Sequence, residues 1–147
     1  MVMVLGLGTG IADQLRGFAD VIFLGGLHLD ARGRCNPAVL GGYARPRRRG
    51  PGSIVLSLVA TVKRTFLFFE RHDPRVFGDS VDFVSGERQT DDELLVVTPL
   101  AVFGSRGGCA QVVLKSMHPG VDFDTVQAHA RRNWPPYTAA RTGGNRR

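Results

Sequence analysis

Apolar positions along the chain gather in short blocks, separated by stretches rich in glycine, proline and arginine. In "IADQLRGF", residues 11 to 18, Ile11, Leu15 and Phe18 share one face of a predicted helix. "DVIFLGGL", residues 20 to 27, is a continuous apolar run ending in Gly25-Gly26. It predicts a buried strand that stops in a loop, and its lack of alternation predicts a sheet covered on both faces. Residues 28 to 53 form a connection longer than loops usually run, which predicts a functional or poorly ordered segment. "SIVLSLVATV", residues 53 to 62, reads as a buried helix with Ser53 as N-cap. "RTFLFFE", residues 64 to 70, reads as a second buried strand. Strand, helix and strand in that order predict a parallel crossover unit.

Further along, "VDFV" at 81 to 84 is a short strand or turn. "ELLVVTPLAVF", residues 93 to 103, and "AQVVLKS", residues 110 to 116, read as two strands of a hairpin-like pair. "VDFDTVQAHARR" reads as a short helix with Asp122 as N-cap, Asp124 in its first turn, and Arg131 and Arg132 at its C-terminal end. The pattern defines one domain over residues 1–132 and a basic tail over 133–147, with no internal repeat.

Composition changes this picture little. The 147 residues are 43% hydrophobic, which suits a folded core. The formal charge of +6 comes from arginine: Lys63 and Lys115 are the only lysines among 19 basic residues. Cys35 and Cys109 lie far apart and make no zinc pattern, and His28, His72, His118 and His129 have no ligand spacing. No metal site is expected. The start of the chain is too short to span a membrane and has no basic leader, so a cytoplasmic location and no membrane contact are expected. "GLGTGI" at 6 to 11 lacks the third glycine of a dinucleotide loop, since Ile11 stands there.

The most charged stretch is "ARPRRRGPGS", residues 44 to 53, with four arginines in five positions. It reads as a solvated loop, as a phosphate clamp for a charged small molecule, or as a nucleic-acid backbone contact. No aromatic residue is interleaved to stack bases, which makes the last reading the weakest and predicts no nucleic-acid partner. "SMHPGV", residues 116 to 121, raises the question of whether His118 is catalytic; the expectation is a structural histidine bonded to nearby backbone.

Four blocks in order resemble the beta (B) subunit of the family I CoA-transferases, of the glutaconate CoA-transferase type. "DVIFLGGLHLDARGRCN" matches its FLG strand block through Phe23, Leu24, Gly25, Asp30, Gly33 and Asn36. "RPRRRGPGS" matches through Arg45, Pro46, Arg49, Pro51, Gly52 and Ser53. The third block, from Lys63 on, matches through Lys63, Arg64, Thr65, His72, Arg75, Phe77, Val81, Asp82, Phe83 and Ser85, and "VVTPLAVF" with "SMHPGV" completes the series.

The resemblance implies an α/β fold: an open, mostly parallel sheet of the CoA-transferase (NagB/RpiA-like) type, here incomplete on its N-terminal side. It implies a subunit that acts with an alpha-type subunit to move CoA between an acyl-CoA and a carboxylic acid, or to hydrolyse an acyl-CoA. CoA or acyl-CoA would be a substrate, with no bound cofactor. The implied CoA-binding residues are Gly25, Gly26, Arg45, Arg47, Arg49, Gly52 and Ser53. The family reaction uses a glutamate that attacks the thioester and then carries CoA as a glutamyl thioester. That glutamate lies ahead of the FLG strand in the family. Glu70, Glu87 and Glu93 are the only glutamates here, all downstream, so no catalytic residue is assigned. The family's glycine-rich GSGGAND is replaced by Gly52-Ser53-Ile54-Val55-Leu56-Ser57-Leu58, which weakens the expected oxyanion loop. The alternatives are a truncated, non-catalytic relative that binds CoA or a partner subunit, and a basic nucleic-acid-binding domain.

Overall fold

A computed structural model of the chain describes residues 20–52, 59, 62–85, 93–105 and 111–130. Its main element is a five-stranded sheet. Side by side, in this order, lie β1 (Val21–Gly25), β6 (Arg64–Phe68), β8 (Glu93–Val97), β9 (Ala101–Ser105) and β10 (Val113–Met117). β1, β6 and β8 run parallel, while β9 and β10 complete the sheet antiparallel. The open α/β sheet is thus present. The parallel pairing of β1 with β6 fits the predicted crossover. The helices predicted over 11–18 and 53–62 lie outside the described residues, apart from the buried Val59 and Val62.

One face of the sheet holds the core. Leu67, Leu94, Val96, Phe103 and Leu114 point into it and meet Leu29, Phe77, Val112 and Val126. Burying side chains of this size contributes about 1.5–3 kcal/mol each. The opposite face is partly exposed among the described residues, with Phe66, Leu95 and Val97 half-buried. Exposure alternates along β1 and β6, with Phe23 63% and Phe68 45% exposed. Phe23 stacks on Phe66 at 4.8 Å and on Phe68 at 5.9 Å, forming a short aromatic row in which Phe66 is half-buried. Among the described residues β1 is also an edge strand.

The connection from 28 to 52 is ordered. It carries β2 (His28–Asp30), β3 (Cys35–Asn36), β4 (Val39–Leu40) and β5 (Arg48–Arg49). β3, β2 and β7 (Phe77–Gly78) form a three-stranded sheet, and β4 pairs with β5 as a hairpin. Side chains cap these short pieces. Asp30 Oδ1 accepts from the N–H groups of Arg32 and Arg34, at 2.9 and 3.0 Å. Asn36 Oδ1 accepts from the N–H groups of Ala38 and Val39, while its amide donates to Val39 O.

The run 93–103 is two strands rather than one. Thr98 and Pro99 turn the chain, and the Thr98 hydroxyl oxygen accepts from Leu100 and Ala101 N–H. A threonine that bonds its own turn and a proline without a donor end a strand at that point. α1 (Phe123–Ala128) starts as expected, with Asp122 as N-cap accepting from Thr125 N–H at 2.7 Å and Asp124 in the first turn. Hydrogen bonds from the Thr125 side chain and from its backbone N–H hold the exposed Asp122 carboxyl below its ordinary range. The "VDFV" segment is irregular, with a bend at Asp82 and Phe83 and no strand. Arg131, Arg132 and the tail lie outside the described residues.

Candidate functional site

Parallel strands in an open sheet end together, and ligands of such sheets bind beyond their carboxyl ends. Here the ends of β1 and β6 open into a cleft of about 680 Å³. Gly25 and Gly26 form one wall, Phe68, Phe69, Glu70 and Arg71 a second, and Asp73 and Arg75 a third. The β4–β5 hairpin closes the cleft with Leu40 and Arg48, next to Pro51. This volume suits a small organic ligand or one arm of a larger one.

The two glycines differ in kind. A Cβ on Gly26 would stand 2.7 Å from Cys35 Sγ and 2.9 Å from Phe69 Cζ, so packing beneath the cleft demands glycine there. A Cβ on Gly25 would meet only Phe68 O, at 3.9 Å. The fold places no steric demand on Gly25, and its bareness leaves space in the cleft.

Three cations, Arg48, Arg71 and Arg75, face two carboxylates, Glu70 and Asp73, in the cleft. Arg75 donates to Asp73 through its backbone N–H at 2.8 Å and pairs with it at 3.3 Å. Partial burial pushes the Asp73 carboxyl up. The hydrogen bonds from Arg75, its charge and the Val76 N–H outweigh that and hold the carboxyl below its ordinary range. Glu70 is exposed in the cleft, whereas Glu93 is held by Arg64 and Lys115 on the sheet.

The implied binding residues divide accordingly. Gly25 and Gly26 line the cleft. Gly52 is exposed beside it, with a φ of +105°, and Ser53 lies outside the described residues. Arg45, Arg47 and Arg49 are exposed on the hairpin but do not line the cleft. Neighbours along a strand face opposite sides. Arg48 therefore faces the cleft, and Arg49 lies over the Tyr43 ring at 5.8 Å. The sequence reading included Arg48 in the arginine stretch without singling it out, and it missed Glu70 and Arg71. Glu70 ends the predicted strand over 64–70 and Arg71 directly follows it, and that position was the available signal.

Both described histidines of interest are structural. His118 Nε2 donates to Thr98 O at 2.8 Å, and its backbone N–H donates to Leu100 O. The expectation for "SMHPGV" holds, with Pro119 and Gly120 (φ +83°) making the turn into α1. His72 is 7% exposed and packs against the rings of Phe77 and Phe103, which also touch each other. Its Nε2–H donates to Val126 O at 3.2 Å, and Nδ1 faces the Thr98 hydroxyl at 3.0 Å. Burial lowers its pKa, against the opposing effect of the Val126 carbonyl, so the neutral ring ties α1 to the β8–β9 turn. Among the described residues no group of His, Cys, Asp and Glu is arranged to hold a metal ion, and no helix is long and apolar enough to cross a membrane.

No family model matches the chain. It is 27% identical over 123 residues to the B subunit of the 3-oxoadipate CoA-transferase of Pseudomonas knackmussii, covering 75% of this chain and 47% of that protein. Among solved structures, a variant of the decarboxylase AibA/AibB superposes with a TM-score of 0.79 at 22% identity, over 90% of this chain and 55% of that one. The glutaconate CoA-transferase of Acidaminococcus fermentans gives 0.74 at 18% identity, over 91% and 58%. IpdAB of Rhodococcus jostii RHA1 gives 0.73 at 25% identity, over 91% and 56%. The chain therefore spans about half the length of the proteins it matches.

Proposed function

We propose that this chain, related in sequence and fold to the B subunits of the family I CoA-transferases, is one subunit of an enzyme that moves CoA between an acyl-CoA and a carboxylic acid. The observation that carries the reading is the cleft beyond β1 and β6. It has a wall left bare at Gly25 and three arginines suited to anionic oxygens. In this reading the acyl-CoA enters the cleft as substrate, and an alpha-type partner completes the site. The carboxylate that forms the covalent intermediate comes from outside the described residues. A cytoplasmic location and a single domain over 1–132 with a basic tail over 133–147 belong to the same reading.

A second reading is CoA binding without turnover. It is favoured by Ile54, Val55 and Leu56, which stand where the family's oxyanion loop has small residues. One experiment separates the two. The chain is co-expressed with an alpha-type subunit, purified through a tag on this chain, and incubated with acyl-CoA and hydroxylamine, which cleaves an enzyme-bound glutamyl thioester. A stable complex whose CoA-transfer activity is lost to hydroxylamine supports the transferase. A complex that binds CoA but is inert with every acyl-CoA supports the binding protein.

A further inference from the structure

We propose that the free edge of β1 binds a second copy of this chain: the two β1 strands pair antiparallel about Phe23 and join their five-stranded sheets into one. The inference stands apart from the CoA reading.

The direction of the backbone groups along β1 is the first ground. Arg64 N–H donates to Asp20 O at 3.0 Å. Backbone groups of successive strand residues point to alternate edges. Asp20, Ile22 and Leu24 therefore turn theirs to β6, and Val21, Phe23 and Gly25 turn theirs away from it. Among the described residues no strand lies beyond that edge. Edges that must stay single are commonly guarded by lysine, proline or a bulge. β1 has none of these: it reads VIFLG and pairs with β6 through five consecutive residues.

The second ground is that β1 fits itself. An antiparallel partner exchanges paired hydrogen bonds at alternate positions. With Phe23 opposite Phe23 of the second copy, Val21 falls opposite Gly25 and Gly25 opposite Val21. All three outward positions then become hydrogen-bonded pairs. A register centred on Ile22 or Leu24 leaves one outward residue of each copy over. A two-fold axis supplies this match from identical strands. The side chains agree with it. On the core side the buried Ile22 meets the half-buried Leu24. On the outer side Phe23, 63% exposed, meets its own copy at a strand-pair spacing of about 5.5 Å. That is close to the 4.8 Å at which it stacks on Phe66, so the aromatic row continues from one copy into the other.

Charge is the third ground. No charged residue lies within Val21–Gly25. Asp20, already held by Lys63 at 2.6 Å, falls opposite Gly26 and not opposite another acid. The remaining opposition is the net charge of +6 on each copy, which salt screens. The two clefts come to lie at opposite ends of the joint, each with Val21 of the second copy beside its Gly25.

The test is sedimentation velocity of the full chain over a range of concentrations and salt. A monomer–dimer equilibrium is expected, tighter at about 0.5 M salt than at about 0.05 M. Val21→Pro removes an N–H that faces away from β6, so it spares the chain's own ladder and should weaken the dimer about tenfold or more. Phe23→Lys sets like charges opposite each other on the axis and should abolish it. Circular dichroism checks that both variants keep the fold. Phe23→Cys should close a disulfide between copies on mild oxidation, since the Cα spacing of about 5.5 Å lies in the disulfide range. Val21→Cys, opposite Gly25, should not. A chain that stays monomeric at every concentration overturns the proposal, as does a dimer indifferent to Val21→Pro and Phe23→Lys. A dimer that dissolves as salt rises overturns it in favour of a contact held by charge. A monomer in which the Val21, Phe23 and Gly25 amides exchange slowly overturns it in favour of an edge covered by the chain's own residues.

Discussion

Substituting alanine for Gly25 and Gly26 in turn separates packing from ligand space at adjacent positions. In Gly26→Ala the new methyl falls 2.7 Å from Cys35 Sγ and 2.9 Å from Phe69 Cζ. Cys35 is 2% and Phe69 5% exposed, so neither has room to retreat. Forcing a methyl into such a site costs about 1–3 kcal/mol. For a chain of this size that lowers Tm by about 2–12 °C. In Gly25→Ala the methyl makes one ordinary contact at 3.9 Å. Removing a glycine from a strand gains about 0.5–1 kcal/mol of backbone entropy, so Tm should hold or rise slightly. Gly25→Leu extends the comparison by filling the cleft wall, which should abolish CoA binding with little change in Tm. Thermal unfolding followed by circular dichroism measures the first pair, and CoA titration measures the third variant. Equal Tm values for the two alanine variants, or a reversed order, would refute the packing assigned to Gly26. Unchanged CoA affinity in a folded Gly25→Leu would refute the cleft as the CoA site.

Other outcomes follow from buried groups. His72 is neutral in the native state because burial lowers its pKa, whereas the unfolded chain takes up a proton as pH falls through about 6.5. The stability it contributes is therefore complete above that pH and declines below it towards the native pKa. Urea unfolding across this window should show a slope that His72→Gln flattens, and parallel curves would contradict the assignment. Burial pushes the Cys35 thiol up to about 12, so at pH 8 only about one in 10⁴ molecules carries the thiolate. Peptide mapping after iodoacetamide should find Cys35 unmodified in the native protein and modified in urea. Phe103 is fully buried against His72 and Phe77, and Phe103→Ala should cost about 3–5 kcal/mol in urea unfolding.

How much of this was legible in the sequence depended on the range of the forces involved. β1 and β6 sit where continuous apolar runs put them, and Asp122 caps α1 as its spacing predicts. Such features are local. The exposed aromatic face was not legible, because an apolar run records what a residue prefers and not whether anything covers it. Strands of two or three residues between 28 and 49 were invisible for another reason. They have no period to detect and are held by Asp30 and Asn36 caps and by partners as distant as β7. The candidate site was half legible. Gly25 and Gly26, singled out at a strand end, line the cleft, but which arginine faces it depends on the register of Leu40 with Arg48, which a list of arginines does not contain.

The exposed rings of Phe23 and Phe68 also bear on the calorimetry of the chain. Apolar surface already hydrated in the native state adds nothing to the heat-capacity increment of unfolding. That increment should therefore fall below the usual ~12–15 cal/mol/K per residue. A smaller increment flattens the stability curve, so the isolated chain should lose stability more gently on both heating and cooling. A subunit that docks on this face would take up the missing part of the heat capacity. Association would then show a large negative ΔCp, and the complex would regain the curvature that the single chain lacks.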